Sequence, residues 1–147
     1  MSAASPNRAA FTMRCTSQAD RLACGAEAGA FARRHGLSTR ASGELVLCVT
    51  ELLSNAVRHG GGAGRLEMQV IDEGVEVVVR DEGPGIACVE DAMRDGWSRG
   101  RQREPGEAKP MGAGLGIGLG SVKRLADVMV VESVIGAGTC VRIVKRR

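Results

Sequence analysis

The most regular hydrophobic pattern in this chain lies between residues 39 and 59. Apolar side chains recur there at helical spacing, so they share one face of a helix. They are Leu45, Val49, Leu52, Leu53 and Ala56. Ser38 or Thr39 offers an N-terminal cap, and three consecutive glycines at residues 60–62 end the segment. The pattern predicts an amphipathic helix that runs to about His59.

Apolar and polar residues alternate in two later segments, residues 65–71 and 75–80. The short sequence Asp72-Glu73-Gly74 separates them, which predicts a tight antiparallel hairpin. Further strands are predicted at residues 9–15, 128–133 and 139–145. Further helices are predicted from a capping-box-like start at Ser17 to about Arg34, near residues 89–94, and at residues 118–126.

Length and composition favour one domain over residues 1–147, with residues 1–8 as a flexible leader. The chain has 44% hydrophobic residues, which is ordinary for a globular protein. Aromatic residues make up 2%, which argues against a stacking surface for single-stranded nucleic acid. The net charge is +3, and the basic excess gathers at the C-terminus, so a solvated tail is favoured over duplex binding.

The cysteines are odd in number and widely spaced, without a CxxC pair or a histidine at metal-ligand spacing. They are Cys15, Cys24, Cys48, Cys88 and Cys140. This spacing predicts small core residues in a reducing compartment. Because the first ten residues lack a secretory signal and no apolar run has the length of a membrane span, the expected location is the cytoplasm.

Residues 81–119 are dense in glycine and contain three prolines and many charges, which predicts a system of loops. A long loop without secondary structure inside a compact domain is usually functional or disordered. Residues 97–111 are therefore a candidate lid. Trp97 stands at its root, where anchoring the lid, contacting a partner and local packing are all open interpretations.

The first polar motif lies on the predicted helix, where Glu51, Asn55 and His59 are spaced four residues apart and share one face. Mg²⁺ keeps most of its water and takes one or two protein oxygens, so the Asn55 carbonyl is a suitable ligand. Glu51, one turn away, has the position of a general base or an orienting group. Alone, the pattern is more typical of a solvated helix face than of a metal site. For His59 a capping or solvated role is favoured.

The second motif follows the predicted strand 75–80, where Asp81 precedes a Gly-Pro-Gly turn. A carboxylate at a strand end can accept a hydrogen bond from an exocyclic amine such as adenine N6. Gly83 and Gly85 would allow a flat ring to approach the backbone. In isolation this motif is also ordinary turn chemistry.

The third motif places glycines at every second position directly before a helix. They are Gly112, Gly114, Gly116 and Gly118. Backbone amides in such a loop, together with the helix N-terminus, form an anion site suited to phosphates. The spacing differs from a dinucleotide-binding turn, and no Gly-Lys-Ser/Thr completes a P-loop.

Taken together in this order, the three motifs resemble the N, G1 and G2 boxes of the GHKL ATPase and kinase superfamily over residues 40–145. The resemblance implies Glu51 as catalytic base, Asn55 as the Mg²⁺ ligand and Asp81 as acceptor for adenine N6. Gly83 and Gly85 would be adenine-pocket glycines, and the four alternating glycines would cradle the phosphates of ATP. Thr139, in Gly136-Ala137-Gly138-Thr139, matches the family threonine that helps hold adenine through water.

Residues 81–100 and 114–147 resemble the small bacterial serine-protein kinases of the stressosome, the RsbT type. Much of this likeness lies in the segments Val122-Lys-Arg-Leu-Ala-Asp127 and Val131-Glu-Ser133. The N box, ELLSNAVRHG, is about equally similar to that of anti-sigma-factor kinases. A longer insertion at residues 99–110 departs from the switch kinases, so lid behaviour and partner choice stay open.

The resemblance implies a two-layer α/β (α+β) sandwich of the Bergerat ATP-binding type, with a mixed, mostly antiparallel sheet and helices on one face. It also implies a serine/threonine kinase that uses ATP and Mg²⁺ to phosphorylate a STAS-type antagonist in a partner-switching pathway controlling a sigma factor or stress response. The alternatives are an anti-sigma factor that binds ATP and sequesters its partner, and a detached histidine-kinase-type ATPase domain. A stressosome-type assembly and a homodimer are open, and neither nucleic acid nor membrane is an expected partner.

Overall fold

The computed structural model describes residues 8–93, 97–98, 101–102 and 118–147. Its strands are β1 Ala10–Cys15, β2 Gly64–Ile71, β3 Gly74–Arg80, β4 Trp97–Ser98, β5 Arg101–Gln102, β6 Val128–Val134 and β7 Gly138–Arg146. Its helices are α1 Gln18–Arg34, α2 Thr39–His59, α3 Val89–Ala92 and α4 Gly118–Leu125. Every predicted helix and strand within the described residues is therefore confirmed, with ends that differ by one or two residues.

Five of the strands form one sheet in the order β1-β2-β3-β7-β6, and each neighbouring pair is antiparallel. Short hairpins connect two of the neighbouring pairs: β2 and β3 are joined at residues 72–73, and β6 and β7 at residues 135–137. The predicted fold class, a mostly antiparallel sheet with helices, is confirmed. The parallel component expected of a mixed sheet is not found among the described strands.

One face of the sheet forms the core with α1 and α2. Apolar residues stand in register across neighbouring strands on this face, for example Leu66 opposite Val79 and Val79 opposite Val141. These side chains are buried in one cluster with the apolar stripe of α2. Alternation along each strand sends the polar residues to the opposite face, which we call the outer face.

Caps fix the starts of both long helices, as predicted. The Ser17 hydroxyl accepts from Asp20 N (3.1 Å), and the Asp20 carboxylate accepts from Thr16 N (2.9 Å). The Thr16 N–H is the main reason that the Asp20 pKa lies below its usual value. For α2 the cap is Ser38, whose hydroxyl accepts from Ala41 N at 3.0 Å.

Helix α4 is anchored at its C-terminal end by Lys145, a residue of β7 that is 7% exposed. Lys145 Nζ donates to the Leu125 carbonyl oxygen (2.6 Å) and to Glu44 Oε2 (2.5 Å) on α2. A cation near the last carbonyls of a helix also complements the helix dipole. This contact ties α4 to α2 and to the sheet, and so fixes where the N-terminus of α4 lies.

The interpretation of the cysteines as core residues is confirmed for three positions and wrong for one. Cys15, Cys24 and Cys48 are buried, and burial raises the pKa of Cys15 to about 11 and that of Cys48 to about 12. Cys140 is half-buried, whereas Cys88 is exposed because it lies in the segment before α3 rather than on a core-facing element.

Two predictions about chain organisation lie largely outside the described residues. Residues 1–7 of the predicted leader are among those not described. Of the predicted lid at residues 97–111, only the backbone pairing of β4 with β5 is described. The single-domain assignment and the lid assignment stay predictions.

Candidate functional site

Helix α2 carries Glu51 and Asn55 on one face, one turn apart. Glu51 is 5% exposed and Asn55 is half-buried. Glu51 Oε1 accepts a hydrogen bond from the backbone N–H of Gly118 at 3.2 Å. Gly118 is the first residue of α4, so the carboxylate lies at the positive end of that helix dipole. The first and third motifs are thereby brought together, although 66 residues separate them in the chain.

Asp81 follows β3 directly and organises the second half of the site. Its Oδ1 accepts from Gly83 N (3.0 Å) and from Thr139 N (3.2 Å), while its own N–H donates to the Thr139 carbonyl oxygen (2.9 Å). Within the described residues no donor reaches Oδ2, and the side chain is half-buried. The carboxylate therefore has a fixed orientation and one unused acceptor oxygen.

The glycines around Asp81 are required by contacts within the chain itself. A Cβ on Gly60 would lie 2.5 Å from Asp81 Cγ, and a Cβ on Gly83 would collide with the Gly60 backbone. Gly138 has a φ of +126°, and a Cβ there would collide with the Asp81 carbonyl oxygen. The end of α2, the turn after β3 and the start of β7 thus meet at one point.

Gly85 lies slightly further from the carboxylate and has a φ of +80°. A Cβ at this position would lie 2.6 Å from the Val134 carbonyl oxygen. Gly85 therefore allows residues 83–86 to pack against the β6–β7 hairpin. This packing is a structural reason for glycine at position 85, in addition to the adenine contact that the resemblance implies.

Thr139 is connected to this turn by Ser133, which the sequence analysis did not identify as a site residue. The two hydroxyl oxygens are 3.0 Å apart, and Ser133 Oγ accepts from Ile86 N at 2.7 Å. Ser133 and Thr139 are direct partners in the β6–β7 register. Strand alternation was the available signal, because Ser133 has the same parity as the core-facing Met129 and Val131.

Gly60 and Gly138 were also missed as site residues. Gly60 was assigned to the end of a helix, where glycine is ordinary. Gly138 was noted only as a neighbour of Thr139. The Gly60 contact spans 21 residues and the Gly138 contact spans 57, so no local pattern marks either of them. Only the meeting of α2, β3 and β7 makes these two positions part of the site.

The described geometry brings together six of the predicted site residues in two groups. Asp81, Gly83 and Thr139 are joined by hydrogen bonds, with Gly85 in the same turn, and Glu51 contacts Gly118. Helix α2 connects the groups, because Gly60 at its end contacts Asp81. Gly60 lies nine residues after Glu51, which is about 14 Å along a helix, and Asn55 lies between them. Gly112, Gly114 and Gly116 lie outside the described residues.

Comparison with known proteins gives the class of this chain. Residues 15–145 match the family model described as histidine kinase-like ATPase domain. The chain belongs to this family, and its antiparallel sheet and helices agree with a GHKL-type ATP-binding domain.

Individual relatives fall into two functional groups. The chain is 31% identical over 117 residues to the serine/threonine-protein kinase RsbT of Bacillus subtilis (strain 168), covering 78% of this chain and 79% of the relative. It is 30% identical over 103 residues to the anti-sigma F factor of Heyndrickxia coagulans, covering 66% and 64%. The anti-sigma F factor of Geobacillus stearothermophilus is 29% identical over 107 residues, covering 69% and 67%. Both resemblances noted in the sequence are confirmed.

None of the described helices combines the length and the apolar character needed to cross a bilayer.

Proposed function

We propose that this chain is a cytoplasmic serine/threonine kinase that uses ATP and Mg²⁺ to phosphorylate a STAS-type antagonist protein in a partner-switching pathway. The observation that carries the proposal is the position of the Glu51 carboxylate at the N-terminus of α4, on the helix face that it shares with Asn55. A nucleophile-orienting carboxylate and a metal-ligating amide beside an anion-binding helix end are the parts that phosphoryl transfer requires.

The adenine end of the nucleotide is assigned to Asp81. Its Oδ1 is already held by two backbone N–H groups, and Oδ2 has no donor within the described residues. An exocyclic amine such as adenine N6 would supply that donor, in a charge-assisted hydrogen bond. Thr139 would contribute through a bridging water, and its hydroxyl is held toward the Asp81 turn by Ser133.

The phosphate end is assigned to the N-terminus of α4 and to Asn55. The helix start offers backbone N–H groups and a positive dipole, which fit an anion. The half-buried Asn55 supplies a neutral carbonyl oxygen of the kind that Mg²⁺ accepts beside water and phosphate oxygens. When bound, Mg²⁺ would neutralise charge on the phosphates.

Glu51 is assigned the proton transfer. As the substrate serine or threonine oxygen bonds to the γ-phosphorus, the bond from that phosphorus to ADP breaks and Glu51 takes the hydroxyl proton. The hydrogen bond from Gly118 N would orient the carboxylate for this role. The same hydrogen bond also caps α4, so removal of the side chain takes away one acceptor at the helix start as well as the proposed base.

A second function is favoured by the relatives named anti-sigma F factor. In this alternative the chain binds ATP and sequesters its protein partner, with little or no phosphoryl transfer. The roles of Asp81 and Asn55 in nucleotide binding would be the same in both functions. Only the role of Glu51 would differ.

A single-turnover assay with a purified STAS-domain partner and radiolabelled ATP tests the proposal. We expect the parent protein to transfer phosphate, and Glu51→Ala and Glu51→Gln to slow transfer by roughly 10² or more while ATP affinity stays within a few-fold. Glu27→Gln, which changes an exposed carboxylate on α1, is the matched control and should retain the parent rate.

The two Glu51 substitutions separate a chemical role from a positioning role. The glutamine retains an oxygen that can accept from Gly118 N but lacks basicity, whereas alanine removes both properties. Transfer retained in Glu51→Gln and lost in Glu51→Ala would assign Glu51 to positioning alone. No transfer by the parent to any STAS partner, with ATP binding intact, would favour the sequestering function.

A further inference from the structure

Three arginines form a row across the outer face of the sheet. Arg14 on β1 is the direct register partner of Arg65 on β2, and Arg65 is the direct partner of Arg80 on β3. Their parity along each strand is opposite to that of the buried Cys15, Leu66 and Val79, so all three side chains are on the face away from the helices. We call Arg14, Arg65 and Arg80 the arginine row.

The row is exposed and only partly neutralised. The side chains of Arg65 and Arg80 are 63% and 55% exposed, and Arg14 is also exposed. Glu67 Oε1 lies 3.4 Å from Arg65 Nε and 3.7 Å from Arg80 Nε, so one carboxylate serves two guanidinium groups. Within the described part of the chain Arg14 forms no ion pair. Three positive charges therefore face one negative charge.

Stability alone does not account for this arrangement. Like charges placed directly opposite each other on neighbouring strands are unfavourable, and here two such pairs follow in succession. Neighbouring strands are about 4.8 Å apart, so the row spans about 10 Å. The arginine row also lies at the end of the sheet that borders the candidate site. Arg80, the last residue of β3, directly precedes Asp81, and at the same end of the sheet the last residue of β1, Cys15, pairs with the first residue of β2, Gly64.

We propose that the arginine row is a docking surface for an acidic face of a protein partner, one that presents carboxylates spaced about one strand apart. Glu67 is an example of how a carboxylate binds to the row, since it lies between two neighbouring guanidinium groups. Among the described residues no acid lies between Arg14 and Arg65, so this gap offers the matching place for a carboxylate of the partner. Planar guanidinium groups pair well with carboxylates, and such charge complementarity speeds association and fixes register.

A nucleic acid fits this surface less well than an acidic protein. An exposed acid, Glu132, lies on the same face at the far end of the register that begins at Arg14. A second acid on this face, Glu76, is already paired with Arg142. A phosphate backbone continuing beyond about 10 Å along the register would meet the Glu132 carboxylate. The proposal is independent of phosphoryl transfer, because an acidic partner would dock here whether it is phosphorylated or sequestered.

The test uses a hexaglutamate peptide as probe and follows arginine Nε–Hε signals by ¹H–¹⁵N NMR at low salt. We expect the signals of Arg14, Arg65 and Arg80 to shift on titration, and Arg14→Glu to weaken peptide binding by about tenfold. The control is Arg34→Glu, which makes the same charge change at an exposed position on α1 and should weaken binding less than twofold. Mg·ATP affinity, measured in parallel, should be the same in both variants, which separates this proposal from the nucleotide assignment.

Three results would overturn the proposal. The first is an absence of shifts in the row at saturating peptide, and the second is equal weakening in Arg14→Glu and Arg34→Glu, which would indicate a diffuse charge effect. The third is tighter binding of hexathymidylate than of hexaglutamate to the row, which would indicate a nucleic-acid surface.

Discussion

The two ends of the candidate site are built in different ways. At the Asp81 end, one carboxylate oxygen holds two backbone N–H groups, and three glycines allow backbone segments to touch. At the Glu51 end, the backbone N–H of Gly118, the first residue of a short helix, donates to a carboxylate on a long helix. The first end depends on steric exclusion of side chains, and the second depends on the side chains themselves. Substitutions of the glycines at the Asp81 end should therefore affect folding, whereas substitutions of the polar side chains in the site should affect nucleotide binding or activity.

The largest expected effect comes from Gly138→Ala. Its φ of +126° disfavours any side chain, and the new methyl group would collide with the Asp81 carbonyl oxygen. We expect a loss of about 3 kcal/mol or more in the free energy of unfolding, measured by urea denaturation. Gly136→Ala is the matched control in the same hairpin, because Gly136 has a φ of +82° but open space around its Cβ position.

The control should lose only the cost of a left-handed conformation, about 1–2 kcal/mol. Equal losses in the two variants would show that the contact with Asp81 does not matter, and that backbone conformation alone requires glycine at both positions.

Most of the fold was accessible from the sequence because its elements have strong local patterns. The stripe from Leu45 to Ala56 predicts α2, and alternation around Asp72-Glu73-Gly74 predicts the β2–β3 hairpin. In both cases the residues that determine the element lie in one short, continuous stretch of the sequence. Strand direction followed as well, since short connections favour antiparallel pairing.

Only part of the candidate site could be predicted from the sequence, because several of its residues have no distinctive local pattern. Asp81 and Glu51 could be identified because their two motifs, together with the alternating glycines, resemble the N, G1 and G2 boxes in order. Ser133, Gly60 and Gly138 become part of the site only through contacts between distant elements. Their chemistry is ordinary, and a hydroxyl or a missing Cβ has meaning only when its neighbour in space is known.

The next effect in size is expected at the Glu51 end, from Asn55→Ala. If Asn55 ligates Mg²⁺, the variant should lose the magnesium-dependent part of ATP binding, by roughly 100-fold or about 2.7 kcal/mol. Titration calorimetry with Mg²⁺ and with EDTA measures this part directly. Binding in EDTA and the unfolding midpoint should change little, because Asn55 is half-buried rather than part of the core cluster.

Gln69→Ala is the control for Asn55, since it removes an exposed amide on β2 and leaves the site untouched. A variant at Asn55 that binds Mg·ATP as tightly as the parent would show that the amide is not a metal ligand.

The smallest expected effect is also the most specific, and it concerns Asp81→Asn. An asparagine can place its amide oxygen where Oδ1 accepts from Gly83 N and Thr139 N, so the turn should keep its structure. The amide NH₂ then occupies the position of Oδ2 and faces adenine N6, which is itself a donor. We expect ATP affinity to fall by about tenfold, or 1.4 kcal/mol, with a much smaller change in stability.

The same geometry predicts a change of preference between nucleotides. Inosine triphosphate carries an acceptor oxygen in place of the N6 amine, so Asp81→Asn should narrow or reverse the preference for ATP over inosine triphosphate, whereas the parent should favour ATP. Asp72→Asn, at an exposed position in the β2–β3 turn, should leave both affinities unchanged. A uniform tenfold loss for both nucleotides in Asp81→Asn would point to a damaged turn instead of a lost acceptor, and unchanged affinity for ATP would remove Asp81 from the adenine site.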